Sequence, residues 1–286
     1  MILSPTENMT IFMLLAIFLA ATKLSAGGYC EEDNEETYSY HGSTNGPRQW
    51  PRLFPACNGD MQSPIDIQTS NVRRDRQLKK LNFFGYDSTV RRADILNDGH
   101  TVMITPRDNV RRGITIQGKD YNLQQLHFHW GSEKNPGAEH TLNRRRFEME
   151  AHFVHRSSDN RTAVVGVLIQ MVNKDNQAFK PIVDVVFDVL YKDESTRLQS
   201  SLNLSKLLPE SPASYYGYTG SLTTPMCTEG VAWFVLQSKQ TIGRKQLNSF
   251  LKVYSVEEED RSRECLLAPN NRPLQNPNGR VIYASS

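Results

Sequence analysis

Apolar and polar residues alternate along much of the chain, and a period of two marks strands with one face buried. Segments 81–86, 101–105, 113–117 and 121–130 are rich in β-branched and aromatic residues and are separated by polar or glycine-containing turns, so each is predicted to be a strand. Segment 148–155 alternates so that Glu150, His152 and Val154 share one face. The run 163–172 is apolar at nearly every position and reads as a central strand buried on both sides. Helical spacing shows in two places, 176–192 and 239–253, the second carrying Ile242, Leu247, Phe250 and Leu251. No internal repeat and no Gly/Ser linker interrupts the pattern. The expected fold is mixed but mainly β: a single domain around a large, mostly antiparallel, twisted central β-sheet with short peripheral helices.

The N-terminal region breaks this pattern. Residues 11–21 form an apolar run of 11, short of the roughly 20 a membrane-spanning helix needs. Ser25, Ala26, Gly27 and Gly28 then supply the small residues of a cleavage site, so 1–26 reads as a secretory signal peptide. The acidic stretch Glu31-Glu32-Asp33-Asn34-Glu35-Glu36 reads as a solvated, flexible arm over 27–37. The folded domain is expected over 38–286, with no membrane span in the mature protein and no hydrophobic C-terminal tail for a lipid anchor.

Export changes how the four cysteines are read. Cys30, Cys57, Cys227 and Cys265 remain after cleavage, and an even number in a secreted protein implies two disulfides, with three pairings open. Asn160-Arg161-Thr162 and Asn203-Leu204-Ser205 are glycosylation acceptor sequences. The net charge is only +2, and the arginine pairs are scattered among acids, so nucleic acid is not an expected partner.

The candidate chemistry lies in the histidines. Five of the seven fall between residues 127 and 155. His127 and His129, two apart on a predicted strand, point to one face, and His152 on a second strand can complete a triangle. Three imidazoles that leave one tetrahedral corner open are the ligand set of a catalytic zinc, whereas a structural zinc site is closed. Gln125 and Glu150 each lie two residues before a histidine, on the face where they could fix its tautomer. A hydroxyl positioned by a buried carboxylate could orient the attacking oxygen. Thr223 and Glu139 are candidates for that pair, though nothing in their spacing links them.

Ordered motifs extend this picture over residues 38–283. They are Gln125-Leu126-His127-Phe128-His129-Trp130-Gly131, Glu139-His140-Thr141, Glu150-Ala151-His152-Phe153-Val154-His155 and Gly220-Ser221-Leu222-Thr223-Thr224-Pro225. With them come Gly46-Pro47 and Trp50, Gln62-Ser63-Pro64-Ile65-Asp66-Ile67, Asn97-Asp98-Gly99-His100 and Asn271-Arg272-Pro273-Leu274-Gln275. In these motifs the chain resembles the alpha-class carbonic anhydrases of the secreted animal type. The resemblance implies a Zn2+ enzyme, a carbonate dehydratase, that converts CO2 to bicarbonate and a proton through a zinc-bound hydroxide, with 38–286 as the catalytic domain. It implies His127, His129 and His152 as ligands, Gln125 and Glu150 as partners of His127 and His152, and a backbone carbonyl near Asn270 as the partner of His129. Thr223 would orient the hydroxide and donate to Glu139, and Thr224 would place bicarbonate. Val154, Val164, Leu222, Val231 and Trp233 would form the apolar wall that holds CO2. His100 matches the proton-shuttle position, and Tyr40 matches a pocket tyrosine that orders water beside it. His140 and His155 match structural histidines.

The resemblance also implies a disulfide between Cys57 and Cys227. Cys30 and Cys265 then pair with each other, or one of them links two chains; a monomer is expected, with a disulfide-linked dimer as the alternative. Met103 stands where a polar pocket residue is common, and Asn271 where an aromatic one is. The competing functional reading is a metal-free, carbonic anhydrase-related binding or matrix protein. The retention of His127, His129, His152, Thr223 and Glu139 argues against it.

Overall fold

The computed structural model describes residues 37–75, 78, 80–261 and 265–285. The predicted signal peptide, nearly all of the acidic arm, and Cys30 lie outside these residues. The described chain is organised by a twisted sheet of 13 strands. From one edge the order runs Ser195–Arg197, Ala93–Asn97, Val102–Pro106, Lys119–Trp130, Met149–Ser157, Thr162–Val172, Glu229–Leu236 and Tyr215–Ser221, ending on the short strands Tyr283–Ala284 and Arg73–Arg74. Neighbours are antiparallel from the 195–197 strand as far as the 162–172 strand. The 162–172 strand then pairs in parallel with the 229–236 strand. The expected mainly β architecture is therefore present, with a sheet that is mixed and mostly antiparallel.

The 162–172 strand is central, as its apolar run predicts: seven consecutive residues, Ala163 to Ile169, are buried. β-Branched Val164, Val165, Val167 and Ile169 suit a pleated surface packed on both sides. Alternation then divides the sheet into two faces. Leu126, Phe128 and Trp130, with Ala151 and Phe153 opposite, and Ala163, Val165 and Val167 beyond them, belong to the main core. Phe128 and Trp130 pack edge-on and tilted against Phe250 of the helix Arg244–Phe250, with ring centroids 5.6 and 5.4 Å away. The other parity, His127, His129, Glu150, His152, Val154 and Val164, forms the second face.

Both helices are shorter than their spacing predicts. Over 176–192 only Lys180–Val186 is helical, with Pro181 in its first turn. Over 239–253 the first part is a strand, Gln240–Gly243, and the helix occupies Arg244–Phe250. Ile242 is drawn into parallel pairing with Met171, and this tertiary pairing overrides the local helical period.

Cys57 and Cys227 form a disulfide spanning 170 residues. It joins the short 3-10 helix Pro55–Asn58 to the loop after the 215–221 strand. Cys265 is also disulfide-bonded.

Candidate metal centre

The second face of the sheet gathers the three histidines. His127 and His152 are directly opposite each other in the register of the 119–130 and 149–157 strands, and His129 lies two residues further along the first. Their ring centroids are 5.1, 5.2 and 4.6 Å apart, and one ligand nitrogen from each lies within 4.8 Å of the others. Each ring uses its other nitrogen elsewhere. His127 Nδ1 donates to Gln125 Oε1 at 2.9 Å, His129 Nδ1 to the Asn270 carbonyl at 2.7 Å, and His152 Nε2 to Glu150 Oε1 at 3.0 Å. These bonds fix the tautomers and leave Nε2, Nε2 and Nδ1, respectively, with free lone pairs.

Electrostatics keep those lone pairs available. Burial, reinforced by the rings of His129 and His152, lowers the pKa of His127 well below its usual value. Burial brings His129 down to about 4 against the pull of the Asn270 carbonyl, and also lowers His152 against the pull of Glu150. All three rings are therefore neutral at pH 7, the state in which imidazole binds a metal.

A buried carboxylate completes the group. Burial raises the pKa of Glu139, while His152, the Thr223 hydroxyl lying against it, and the Arg272 amide pull it down. The Arg272 N–H donates to Glu139 Oε1 at 2.8 Å. Glu139 Oε2 lies 3.5 Å from His129 Nε2 and 4.0 Å from His152 Nδ1. Both Glu139 Oε2 and His129 Nε2 are buried without a hydrogen-bond partner. Buried polar atoms are seldom left so. Unpaired atoms facing one another among three neutral imidazoles fit a cation with nitrogen ligands such as zinc.

Glu150 anchors the opposite side. Its Oε1 accepts from both His152 and His140, and its Oε2 accepts from the His140 amide. His140 Nε2 in turn accepts from the Tyr218 hydroxyl, which bonds to Ser63. Those bonds make His140 a structural partner, although His140, Glu150 and His152 also lie close enough to form a ligand group. Gly166, paired with His152, makes room for this arrangement: a Cβ there would sit 2.9 Å from Glu150 Oε1. His155 bonds to Tyr86 in the core, away from the three histidines.

Thr223 and Thr224 sit in a tight loop. The Leu222 amide donates to Thr228 O, the Cys227 amide donates to Thr224 O, and the Trp233 indole donates to Ser221 O. The Cys57–Cys227 disulfide ties the same loop down. Val164, Val231 and Trp233 are buried in one apolar cluster, with Val154 and Leu222 packed against it. The Trp233 ring is 4.9 Å from that of His152, so this wall adjoins the histidines.

His100 lies in the turn between the 93–97 and 102–106 strands, and its ring stacks on Tyr38 with centroids 3.9 Å apart. Tyr38, passed over in the sequence, also bonds through its hydroxyl to Thr224. Tyr40 is buried with its ring 6.4 Å from that of His129 and its hydroxyl without a partner. Met103 is opposite His127 in register and shares its face. Arg272 is 2% exposed. Its side chain holds Gln62 Oε1, Ser63 O and Cys57 O, linking the carboxylate loop to the disulfide.

Fold and site together define a β-sheet protein with a candidate three-histidine metal centre beside a buried Thr–Glu pair. The profile of the eukaryotic-type carbonic anhydrases matches residues 45–286. Relatives include carbonic anhydrase 15 of Mus musculus, 36% identical over 95% of this chain and 87% of that protein. Carbonic anhydrase 6 of Homo sapiens is 34% identical over 82% of this chain and 78% of that protein. Carbonic anhydrase 7 of Mus musculus is 33% identical over 86% and 96%. The chain belongs to the eukaryotic-type carbonic anhydrase family, whose reaction is the hydration of CO2 and whose cofactor is zinc.

Proposed function

We propose that this protein is an active, zinc-dependent carbonate dehydratase that interconverts CO2 and bicarbonate. The observation that carries the reading is the set of three neutral imidazoles, each with one nitrogen tied back and one free, around the unpaired Glu139 Oε2. His127, His129 and His152 hold the ion, and Gln125, the Asn270 carbonyl and Glu150 orient them. When bound, zinc supplies a Lewis acid that brings the pKa of water to about 7, an effect for which carbonic anhydrase is itself the reference case.

The chain's own residues do the rest. The Thr223 hydroxyl donates a hydrogen bond to Glu139, so its oxygen is left to accept a hydrogen bond from the attacking water and aim that water's lone pair. Val154, Val164, Leu222, Val231 and Trp233 form a wall with no donor for an uncharged substrate, which suits CO2 and excludes water. Thr224 places the bicarbonate oxygens. Each hydration releases one proton, and His100 takes it from the site to bulk buffer, with Tyr40 lining the route. His100→Ala should slow turnover at low buffer by on the order of tenfold to a hundredfold, with recovery on adding imidazole. Unchanged turnover at low buffer removes His100 from this role.

The same reading places the protein outside the cell, with 1–26 as signal peptide, 27–37 as arm and 38–286 as the catalytic domain. The Cys57–Cys227 disulfide supports an oxidising compartment. Asn160 is exposed in the hairpin loop after the 149–157 strand and is proposed as a glycan carrier, as is the half-buried Asn203, whose Oδ1 caps the helix Leu204–Leu207. Among the described residues no helix is long and apolar enough to cross a membrane. The proposed form is a monomer: Cys57, Cys227 and Cys265 are all engaged in disulfides, and none of them is left to link a second chain.

A further inference from the structure

One buried side chain joins the metal centre to the His100 turn. Asn270 is fully buried and stands 141 residues from His129 in sequence. Its backbone carbonyl holds the His129 ring, while its side chain makes three separate bonds. Oδ1 accepts from the Trp130 amide at 2.7 Å, and Nδ2 donates to the carbonyls of His100 at 3.0 Å and Phe128 at 3.1 Å. The His100 turn is braced from within by Asn97 Oδ1, which accepts from the Gly99 amide, and Asp98 Oδ1, which accepts from the amides of His100 and Thr101. Thr101 Oγ1 hooks the far end of the turn to the Phe128 carbonyl at 2.5 Å. The carbonyl of His100 itself is held by Asn270, the residue that also flanks His129.

We propose that the Asn270 side chain is a positioning residue: it fixes the His100 turn to the histidine strand and so sets the distance over which the proton leaves the site. This rests on the reading of His100 as proton acceptor. Carbonyl and side chain serve different steps, since the first orients a ligand and the second holds the proton exit. A side-chain substitution separates them. The geometry of a positioned acid–base group matters steeply, and about 1 Å of displacement can lower a rate by a hundredfold. The turn's freedom to shift is therefore read more sensitively in proton transfer than in stability.

The test uses Asn270→Asp, which keeps the shape and the acceptor for Trp130 but turns the donor into an oxygen facing two carbonyls. Asn270→Ala is made alongside it, in case the aspartate does not fold. Zinc content, turnover at low buffer, and isotopic oxygen exchange between CO2 and bicarbonate at equilibrium, which needs no proton export, are measured beside the parent protein. Amide hydrogen exchange at His100 and Thr101 is followed in the zinc-free state. The expected result is turnover lowered roughly tenfold and restored by imidazole, oxygen exchange lowered much less than turnover, and faster amide exchange in the turn. Two results overturn the proposal: turnover and turn exchange both unchanged, or turnover and oxygen exchange falling together without imidazole rescue. A parent protein that binds no zinc and hydrates no CO2 refutes the functional reading instead, and the amide exchange still decides whether Asn270 holds the turn.

Discussion

His127→Ala protein is expected to lose zinc and CO2 hydration in one step. His127 supplies one of three free nitrogens, and its Nδ1–H bond to Gln125 at 2.9 Å fixes the ring that presents it. Alanine leaves two imidazoles, His129 and His152, which cannot surround a tetrahedral ion. If each ligand carries about a third of a binding free energy on the order of 10–16 kcal/mol, affinity falls by roughly several hundredfold to several thousandfold. Elemental analysis and a hydration assay on the same sample check both losses. A zinc-replete, active His127→Ala protein would refute the ligand assignment.

The second large effect concerns stability. Cys57→Ser/Cys227→Ser protein is expected to lose up to about 5 kcal/mol by loop entropy, since the bridge closes a ring of 170 residues. Set against the 5–15 kcal/mol typical of a whole domain, that loss moves the urea midpoint far down. The damage should not be uniform. Cys227 N–H donates to Thr224 O, and Arg272 binds the Cys57 carbonyl while its amide holds Glu139. Loosening the bridge therefore loosens the loop bearing Thr223 and Thr224, and activity is expected to fall before unfolding begins. Peptide mass mapping that finds both thiols free in the native protein contradicts the bridge, and a midpoint unchanged by reductant contradicts its weight.

The parts of the fold that could be read from the sequence are those with local causes. The 119–130, 149–157 and 162–172 strands carry strong alternation or an unbroken apolar run, and they form the middle of the sheet. The 215–221 strand, Tyr215-Tyr216-Gly217-Tyr218-Thr219-Gly220-Ser221, escaped because it contains two glycines and polar positions. It is held by pairing with the 229–236 strand and with Tyr283–Ala284. The predicted helix over 239–253 lost its first turns to a strand because Ile242 gains a parallel partner that no local pattern announces.

The site divides the same way. His127, His129, His152, Gln125 and Glu150 follow from a period of two, because strand geometry decides which of them share a face. Thr223 and Glu139 sit on separate loops, and only the folded chain, or a resemblance, brings them together. The Asn270 carbonyl that orients His129 is a backbone group and carries no side-chain signature. Tyr38 and Tyr40 are two residues apart, and nothing in the sequence separates their roles. Which of two tyrosines stacks on His100 depends on a contact between segments far apart in sequence, which no local pattern announces.

Every role proposed for the site depends on three histidines holding a zinc that drives CO2 hydration. The most direct measurement is stopped-flow hydration of CO2 by the purified protein, with and without a zinc chelator, at low and high buffer. Fast hydration is expected, abolished by the chelator and restored by added zinc, with a buffer dependence that reflects proton export through His100. Hydration at the uncatalysed rate in zinc-replete protein, or a rate indifferent to zinc removal, would contradict it.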